Sequence, residues 1–221
     1  MAPSERSVTI PAEQRAYWDR AAAEKTFGHP LRLERLRPLI PEDARILDFG
    51  CGYGRLCSTL RDNGYGRVTG IDSSRAMVER GKREHPDLNL NVVEGDGLSF
   101  ADGRFDAVLL FSVLTCIPGR TEQERTLAEI RRVLGEDGVL YISDLPLQDN
   151  ERNRVRYADG EKRYGRKGVF ELPEGVVLTH IDMEELPGLL SGFTPLELDF
   201  LELETMNGNT ARAFQWIGRR L

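Results

Sequence analysis

Ile46-Leu47-Asp48-Phe49-Gly50-Cys51-Gly52-Tyr53-Gly54-Arg55 begins as an apolar run and breaks into alternating glycines. Arg45 to Phe49 has the length and composition of a buried strand. Arg55 to Asn63 has helical spacing, with Leu56, Cys57 and Leu60 on one side and Gly64 placed as the C-cap. Glycines between a strand and a helix allow positive φ and close approach of a ligand to the backbone. In an open α/β sheet that position, outside the carboxyl ends of the strands, is where ligands bind. Further along, Arg67–Ile71, Asn89–Val93, Phe105–Phe111 and Val139–Ser143 read as strands. Between them, Ser73 or Ser74 caps a helix carrying Met77 and Val78. Thr121 with Glu124 has capping-box spacing and opens a helix with Leu127, Ile130, Val133 and Leu134 on its buried stripe, closed by Gly135. Alternating strands and helices imply βαβ units and a parallel sheet covered on both faces.

The flanks read differently. A helix is expected from Pro11 through Phe27, with Tyr17 and Trp18 among its bulky residues, stopped by Gly28-His29-Pro30. A short helix follows over Leu31 to Leu36. After Pro146 the alternation stops. Residues 150–168 carry seven Lys/Arg against three acids, a local balance of +4 in a chain of net charge −6. That segment is either a basic lid for an anionic small molecule or a solvated, mobile loop. A helix is expected over Asp182 to Leu190. Pro195–Glu204 and Ala211–Ile217 alternate like two strands around Asn207-Gly208, so an antiparallel pair should end the sheet. The expectation is one domain over 1–221: an N-terminal helical cap over 1–43, a ligand-binding core over 44–145, and an acceptor-side segment with the final hairpin over 146–221.

Composition bounds the function. The chain has 221 residues, 40% hydrophobic and 30% charged, enough apolar content for a sizeable core. The net negative charge argues against nonspecific nucleic-acid or anionic-membrane binding. The longest apolar stretch, Ala107 to Pro118, is far short of the roughly 20 residues of a bilayer span. No apolar signal segment opens the chain, and Cys51, Cys57 and Cys116 make neither a disulfide framework nor a zinc site. The expectation is a cytoplasmic protein with no metal.

The carboxylates narrow the ligand. A dinucleotide fingerprint needs glycines at 50, 52 and 55, but position 55 is Arg. Asp48, two residues before the first glycine, would repel a pyrophosphate and attract an ammonium or sulfonium group. Asp72 lies 22 residues after Gly50, the spacing at which an acid meets ribose hydroxyls. Asp96, in Glu94-Gly95-Asp96-Gly97, follows the third strand and can accept from an exocyclic amine.

Asp48 to Gly54, Ile71-Asp72-Ser73-Ser74-Arg75-Ala76-Met77, Glu94 to Gly97, Phe105 to Ser112 and Arg131 to Ile142 together resemble, in order and spacing, the motifs of class I S-adenosylmethionine-dependent methyltransferases of small-molecule type. The resemblance implies a Rossmann-like, doubly wound, mostly parallel seven-stranded sheet with an antiparallel C-terminal strand and helices on both faces. It implies S-adenosyl-L-methionine as cofactor and S-adenosyl-L-homocysteine as product. Asp48 would help hold the methionine amino group, and Gly50 and Gly52 would give the cofactor room. Asp72 with Ser73 would meet the ribose, Met77 would pack on adenine, and Asp96 with Gly97 would read the adenine edge. Phe111 and Ser112 would line the sulfonium, with Tyr17 covering it from the N-terminal helix.

The expected reaction is in-line displacement by an N, O or S nucleophile of a small acceptor, which asks the protein mainly for orientation and desolvation. A hydroxyl acceptor would also need a base. Of the three histidines, His180 lies between the basic segment and a helix and is the candidate base or substrate contact. His29 is read as a loop residue and His85 as solvated. Cys116 is read as a small buried hydrophobe rather than an acceptor-facing thiol. Nucleic-acid acceptors are disfavoured, since an Asn-Pro-Pro-Tyr-type tetrapeptide is missing after the fourth strand. The competing readings are a noncatalytic cofactor- or partner-binding module on the same fold and a nicotinamide oxidoreductase.

Overall fold

The structure, a computed structural model, describes residues 12–93 and 97–221. Five parallel strands carry the core: β1 (Ile46–Phe49), β2 (Val68–Asp72), β3 (Asn89–Val92), β4 (Phe105–Phe111) and β5 (Leu134–Asp144). Helices α3 (Arg55–Asp62), α4 (Arg75–Glu84) and α5 (Arg120–Val133) connect them, after α1 (Ala12–Ala21) and α2 (Leu33–Leu36). Beyond β5 come α6 (Glu151–Tyr164), the short strands β6 (Val169–Glu171) and β7 (Val177–Thr179), α7 (Leu186–Leu189), and the long hairpin β8 (Phe193–Glu204) and β9 (Thr210–Arg220). The sheet has seven strands in the order β3-β2-β1-β4-β5-β9-β8. β9 is antiparallel to β5 over Val139–Asp144, and β8 is antiparallel to β9. The expected doubly wound sheet with an antiparallel C-terminal strand is therefore present. The chain winds outward from β1 in both directions, so the glycine loop leaves the sheet at its switch point.

Side-chain alternation explains the two layers. Leu47, Phe49, Val108, Leu110, Leu140 and Ile142 face α5, meeting Leu127, Ile130 and Val133. Ile46, Ala107, Leu109, Val139 and Tyr141 face the other way, onto Leu36, Leu56 and Leu60 of α2 and α3. Strands buried on both faces are near-continuous apolar runs for this reason.

Several local expectations shift. Ser74, not Ser73, caps α4, accepting from the Met77 N–H at 3.2 Å. α5 opens two residues early, with Gly119 at its N-cap and no side-chain cap, so Thr121 sits inside its first turn and Glu124 beyond it. For most of its length the basic stretch is not a loop but a helix of 14 residues. Asn150 caps α6 by accepting from Asn153 N, and Gly165 ends it at φ 69°. Its buried stripe is only Asn153, Tyr157 and Gly160, which hides it from any apolar periodicity. The β6–β7 pair is too short for a period-2 pattern to register. The expected helix over 182–190 is helical only at Leu186–Leu189. The segment after β5 is tied back to the core where Ile181 N donates to Leu145 O and Leu147 N to Ile181 O, both at 2.9 Å. No helix among the described residues is long and apolar enough to cross a membrane.

Gly81 shows how closely α4 rides on the loop after β1. A Cβ there would lie 2.7 Å from Tyr53 O and 2.5 Å from Leu90 Cδ1. Gly81→Ala gains about 1 kcal/mol of helix propensity but overpacks against backbone, which costs about 1–3 kcal/mol. We expect net destabilisation, read as a lower urea midpoint; a raised midpoint would show that the contact yields.

Candidate functional site

A cavity of about 440 Å³ opens at the carboxyl ends of β1, β2 and β4. Its floor is the glycine loop. Gly50, Gly52 and Gly54 take φ of 75°, 54° and 82°, and a Cβ on Gly50 would lie 2.5 Å from Val113 Cγ2. Left-handed backbone and lack of room both demand glycine here.

Two carboxylates stand at this floor. Asp72, ending β2, accepts from Gly52 N through Oδ2 and from Ser74 N through Oδ1, both at 2.8 Å. It thereby joins the glycine loop to the start of α4. Burial raises its pKa, against the pull of those amide donors. Asp48, within β1, is 1% exposed and accepts from Cys57 Sγ at 3.4 Å. Burial pushes its pKa up to about 7, against the lowering effect of Cys57 and Arg55. A cation entering the cavity would favour the charged form of both acids.

α1 and the segment after it form the roof. Asp19 Oδ1 accepts from Ser74 Oγ at 2.7 Å and from Ala76 N at 3.0 Å, a carboxylate at a helix N-terminus. Arg80 binds the Ala22 and Lys25 carbonyls and lies 4.0 Å over the Tyr53 ring. Phe27 stacks on Tyr53, and Trp18 meets Phe27 edge-on.

The residues singled out from sequence separate accordingly. Asp48, Gly50, Gly52, Asp72, Ser73, Met77, Phe111 and His180 all line this cavity. Tyr17 does not: its ring packs with Tyr157, Phe170 and Leu178, while Trp18 reaches the wall. Gly97 is off the wall as well, and Asp96 lies outside the described residues. Ser112, predicted beside Phe111, lines the wall in a strained left-handed conformation, φ 57°. Cys116 lines it too, donating to Ser112 O at 3.2 Å. Burial raises its pKa far enough to keep it a thiol.

The two buried histidines differ in what they leave free. His180 is 5% exposed, with Nδ1 against Tyr157 Oη and Nε2 3.5 Å from Arg156. Burial, then the charges of Arg156 and Arg152, pushes its pKa down to about 3. His29 lies 2.9 Å through Nδ1 from Ser143 Oγ. Behind Ser143, Gln215 Nε2 donates to it at 3.4 Å, and Tyr141 Oη donates to Gln215 Oε1 at 2.7 Å. No hydrogen bond engages Nε2 of His29 among the described residues, and His29 lines the cavity. Burial, then Arg55, pushes the His29 pKa down to about 4. The loop reading of His29 thus misses a wall residue. Phe27, Asn153 and Phe170 also line the wall, each on an element that meets the glycine loop only in three dimensions, and so does Arg55, which follows the loop directly.

Residues 47–142 match the family described as "Methyltransferase domain". The chain is 37% identical over 107 residues to a phthiotriol/phenolphthiotriol dimycocerosates methyltransferase of Mycobacterium ulcerans, covering 46% of this chain and 37% of that protein. It is 36% identical over 101 residues to the demethylmenaquinone methyltransferase of Beutenbergia cavernae, covering 45% and 40%. The chain thus spans well under two thirds of these relatives' length. A solved SAM-dependent methyltransferase from Methanosarcina mazei is 29% identical, with a TM-score of 0.77, covering 85% of this chain and 97% of that one.

His29 holds its proton more weakly in the folded protein than in the unfolded chain. Stability is therefore lost as pH falls from about 6.5 toward about 4. His29→Gln should make that acid-side loss shallower, by about 1–3 kcal/mol across the window. Urea denaturation of both proteins at several pH values checks this, and parallel curves would refute it.

Proposed function

We propose that this chain, which carries a class I S-adenosylmethionine-dependent methyltransferase domain over residues 47–142, transfers a methyl group from S-adenosylmethionine to a small-molecule acceptor. The observation that carries the reading is a pair of carboxylates, Asp48 buried and Asp72 half-buried, against a glycine loop at the switch point. A pyrophosphate would meet two negative charges there, whereas a zwitterionic amino acid with a sulfonium and a ribose finds complementary groups. The residues therefore fit that cofactor. Bound, it supplies a methyl group on positively charged sulfur, open to in-line displacement.

The chain's own residues then have distinct tasks. Asp48 favours the ammonium, and Asp72, its oxygens already aligned by two backbone amides, takes ribose hydroxyls on its remaining lone pairs. Ser73 stands beside it. Met77, 2% exposed, packs under the adenine. Phe111 and Ser112 border the sulfonium. Trp18 and Phe27 close the roof and exclude water, with Tyr17 supporting them from behind. His180 keeps both nitrogens inside the wall and positions Arg156. His29, with Nε2 open and its ring held by Ser143, is the better-placed proton acceptor for a hydroxyl nucleophile.

The acceptor lies at the α6 end of the cavity, where Arg152 and Arg156 suit an anionic group. Relatives named for demethylmenaquinone and for dimycocerosates support a small molecule rather than a nucleic acid. All three cysteines are free thiols, which fits a reducing cytoplasm. We read residues 1–221 as one unit, cap, core and acceptor side sharing this cavity.

Screening acceptors with methyl-labelled S-adenosylmethionine tests the proposal; transfer to none, with S-adenosylhomocysteine bound, would favour a noncatalytic module. Asp72→Ala should weaken S-adenosylhomocysteine by several-fold to a hundredfold in calorimetry, since hydrogen bonds to charged groups are worth roughly 1.5–3 kcal/mol. An unchanged Kd removes the role given to Asp72. Because the ligand's ammonium favours ionised Asp48, wild-type affinity should fall as pH drops below about 7. Asp48→Asn should bind about tenfold more weakly at pH 8 and lose that dependence, a difference of roughly 1.4 kcal/mol. Retention of the slope would point to another group.

A further inference from the structure

One wall of the cavity is built by α6, β6 and β7, and its arginines have no carboxylate partner among the described residues. Arg152 and Arg156 stand one helical turn apart on α6, both on the cavity. The Arg156 guanidinium lies 3.6 Å over the Phe170 ring, with Nη2 3.5 Å from His180 Nε2. Its Nε is buried without a hydrogen-bond partner, and no carboxylate among the described residues pairs with it. Arg152 donates to Asn209 Oδ1, a neutral oxygen at the β8–β9 turn. The cations just outside the cavity are paired: Arg163 with Glu171, Arg166 with Glu185, and Lys167 with Asp182. Two like charges at i and i+4 repel, and a guanidinium in a partly apolar wall has lost water without gaining an anion. Burial and the charge of Arg152 accordingly lower the Arg156 pKa.

The neighbouring wall is neutral and largely apolar: Phe170, Leu172, Leu178 and Cys116. Asn153, 4% exposed and also on the cavity, donates its Nδ2 to Asn150 Oδ1 and leaves its own Oδ1 without a partner. The apolar wall suits an apolar body, and the two guanidinium groups suit the two oxygens of a carboxylate.

We infer that Arg152 and Arg156 form a carboxylate clamp, and that the acceptor is a small carboxylic acid on an apolar body, methylated at an atom other than its carboxylate. Oxygens held between two guanidinium groups have their lone pairs engaged and are poor nucleophiles. The acid is a handle that presents a second group toward Phe111, Ser112 and His29. The identity of the acid as the acceptor rests on the methyl-transfer reading, but the clamp itself does not.

The test is calorimetric titration of the full chain, with and without S-adenosylhomocysteine. The probes are three matched pairs, benzoate and benzamide, phenylacetate and phenylacetamide, and 4-hydroxybenzoate and 4-hydroxybenzamide, with phenyl phosphate alongside. At least one acid should bind tenfold or more tightly than its amide, and more tightly than phenyl phosphate. Arg156→Met and, on the more exposed Arg152, Arg152→Met should each remove at least tenfold of that preference while S-adenosylhomocysteine binds as before. The inference is overturned if no acid is preferred over its amide, if phenyl phosphate binds best, or if Arg152→Met, verified as folded by circular dichroism, keeps the preference. If the acid binds through these arginines but S-adenosylhomocysteine does not bind, the clamp stands and the methyl-transfer reading falls.

Discussion

Two carboxylates, Asp48 buried within β1 and Asp72 half-buried at the end of the adjacent β2, are the constraint around which this molecule is arranged. Taking a carboxylate out of water costs several kcal/mol unless donors or cations replace the water. Asp72 is partly compensated by two backbone amides, one from the glycine loop and one from the start of α4. Asp48 has only a thiol and the more distant Arg55, so burial lifts it to the edge of neutrality at pH 7. An arrangement that leaves acids undercompensated in a cavity is expensive to keep and has its natural complement in a cationic ligand.

The rest of the cofactor side follows from that pair. The loop has to fold tightly enough to offer Gly52 N to Asp72, which forces left-handed backbone at Gly50, Gly52 and Gly54. α4 has to start where Ser74 N can reach the same carboxylate, and Asp19 then uses the Ser74 hydroxyl and the Ala76 amide to bring α1 over the cavity. One chain of hydrogen bonds thus runs from the floor to the roof. The opposite end of the cavity has the reverse charge: arginines without carboxylates, beside a histidine that burial and their own field keep neutral. A single cavity thus carries acids at one end and, at the other, arginines with no carboxylate partner among the described residues.

Much of this is legible in residue order, because the core strands are buried on both faces and their runs stand out. The glycine loop, Asp48 and Asp72 are consecutive with the strands that place them, so their roles can be read locally. α6 could not be, since it packs through Asn153, Tyr157 and Gly160, and a helix with an asparagine and a glycine in its buried stripe has no apolar signature. A cap at Asn150 and a glycine at 165 were the available signals. Trp18 and Tyr17 are adjacent on one helix, and which of them meets the cavity depends on how Asp19 docks α1, a contact spanning 55 residues.

The layered α/β architecture, the edge hairpin and the acidic, glycine-lined floor are written into residue order, because period, turn chemistry and charge act over a few neighbouring residues. That His29 and His180 differ in their hydrogen bonding, and that Arg152 and Arg156 have no carboxylate partner among the described residues, emerges from packing. Those properties depend on which distant segments supply, or fail to supply, a partner at hydrogen-bond range, and no local pattern encodes that.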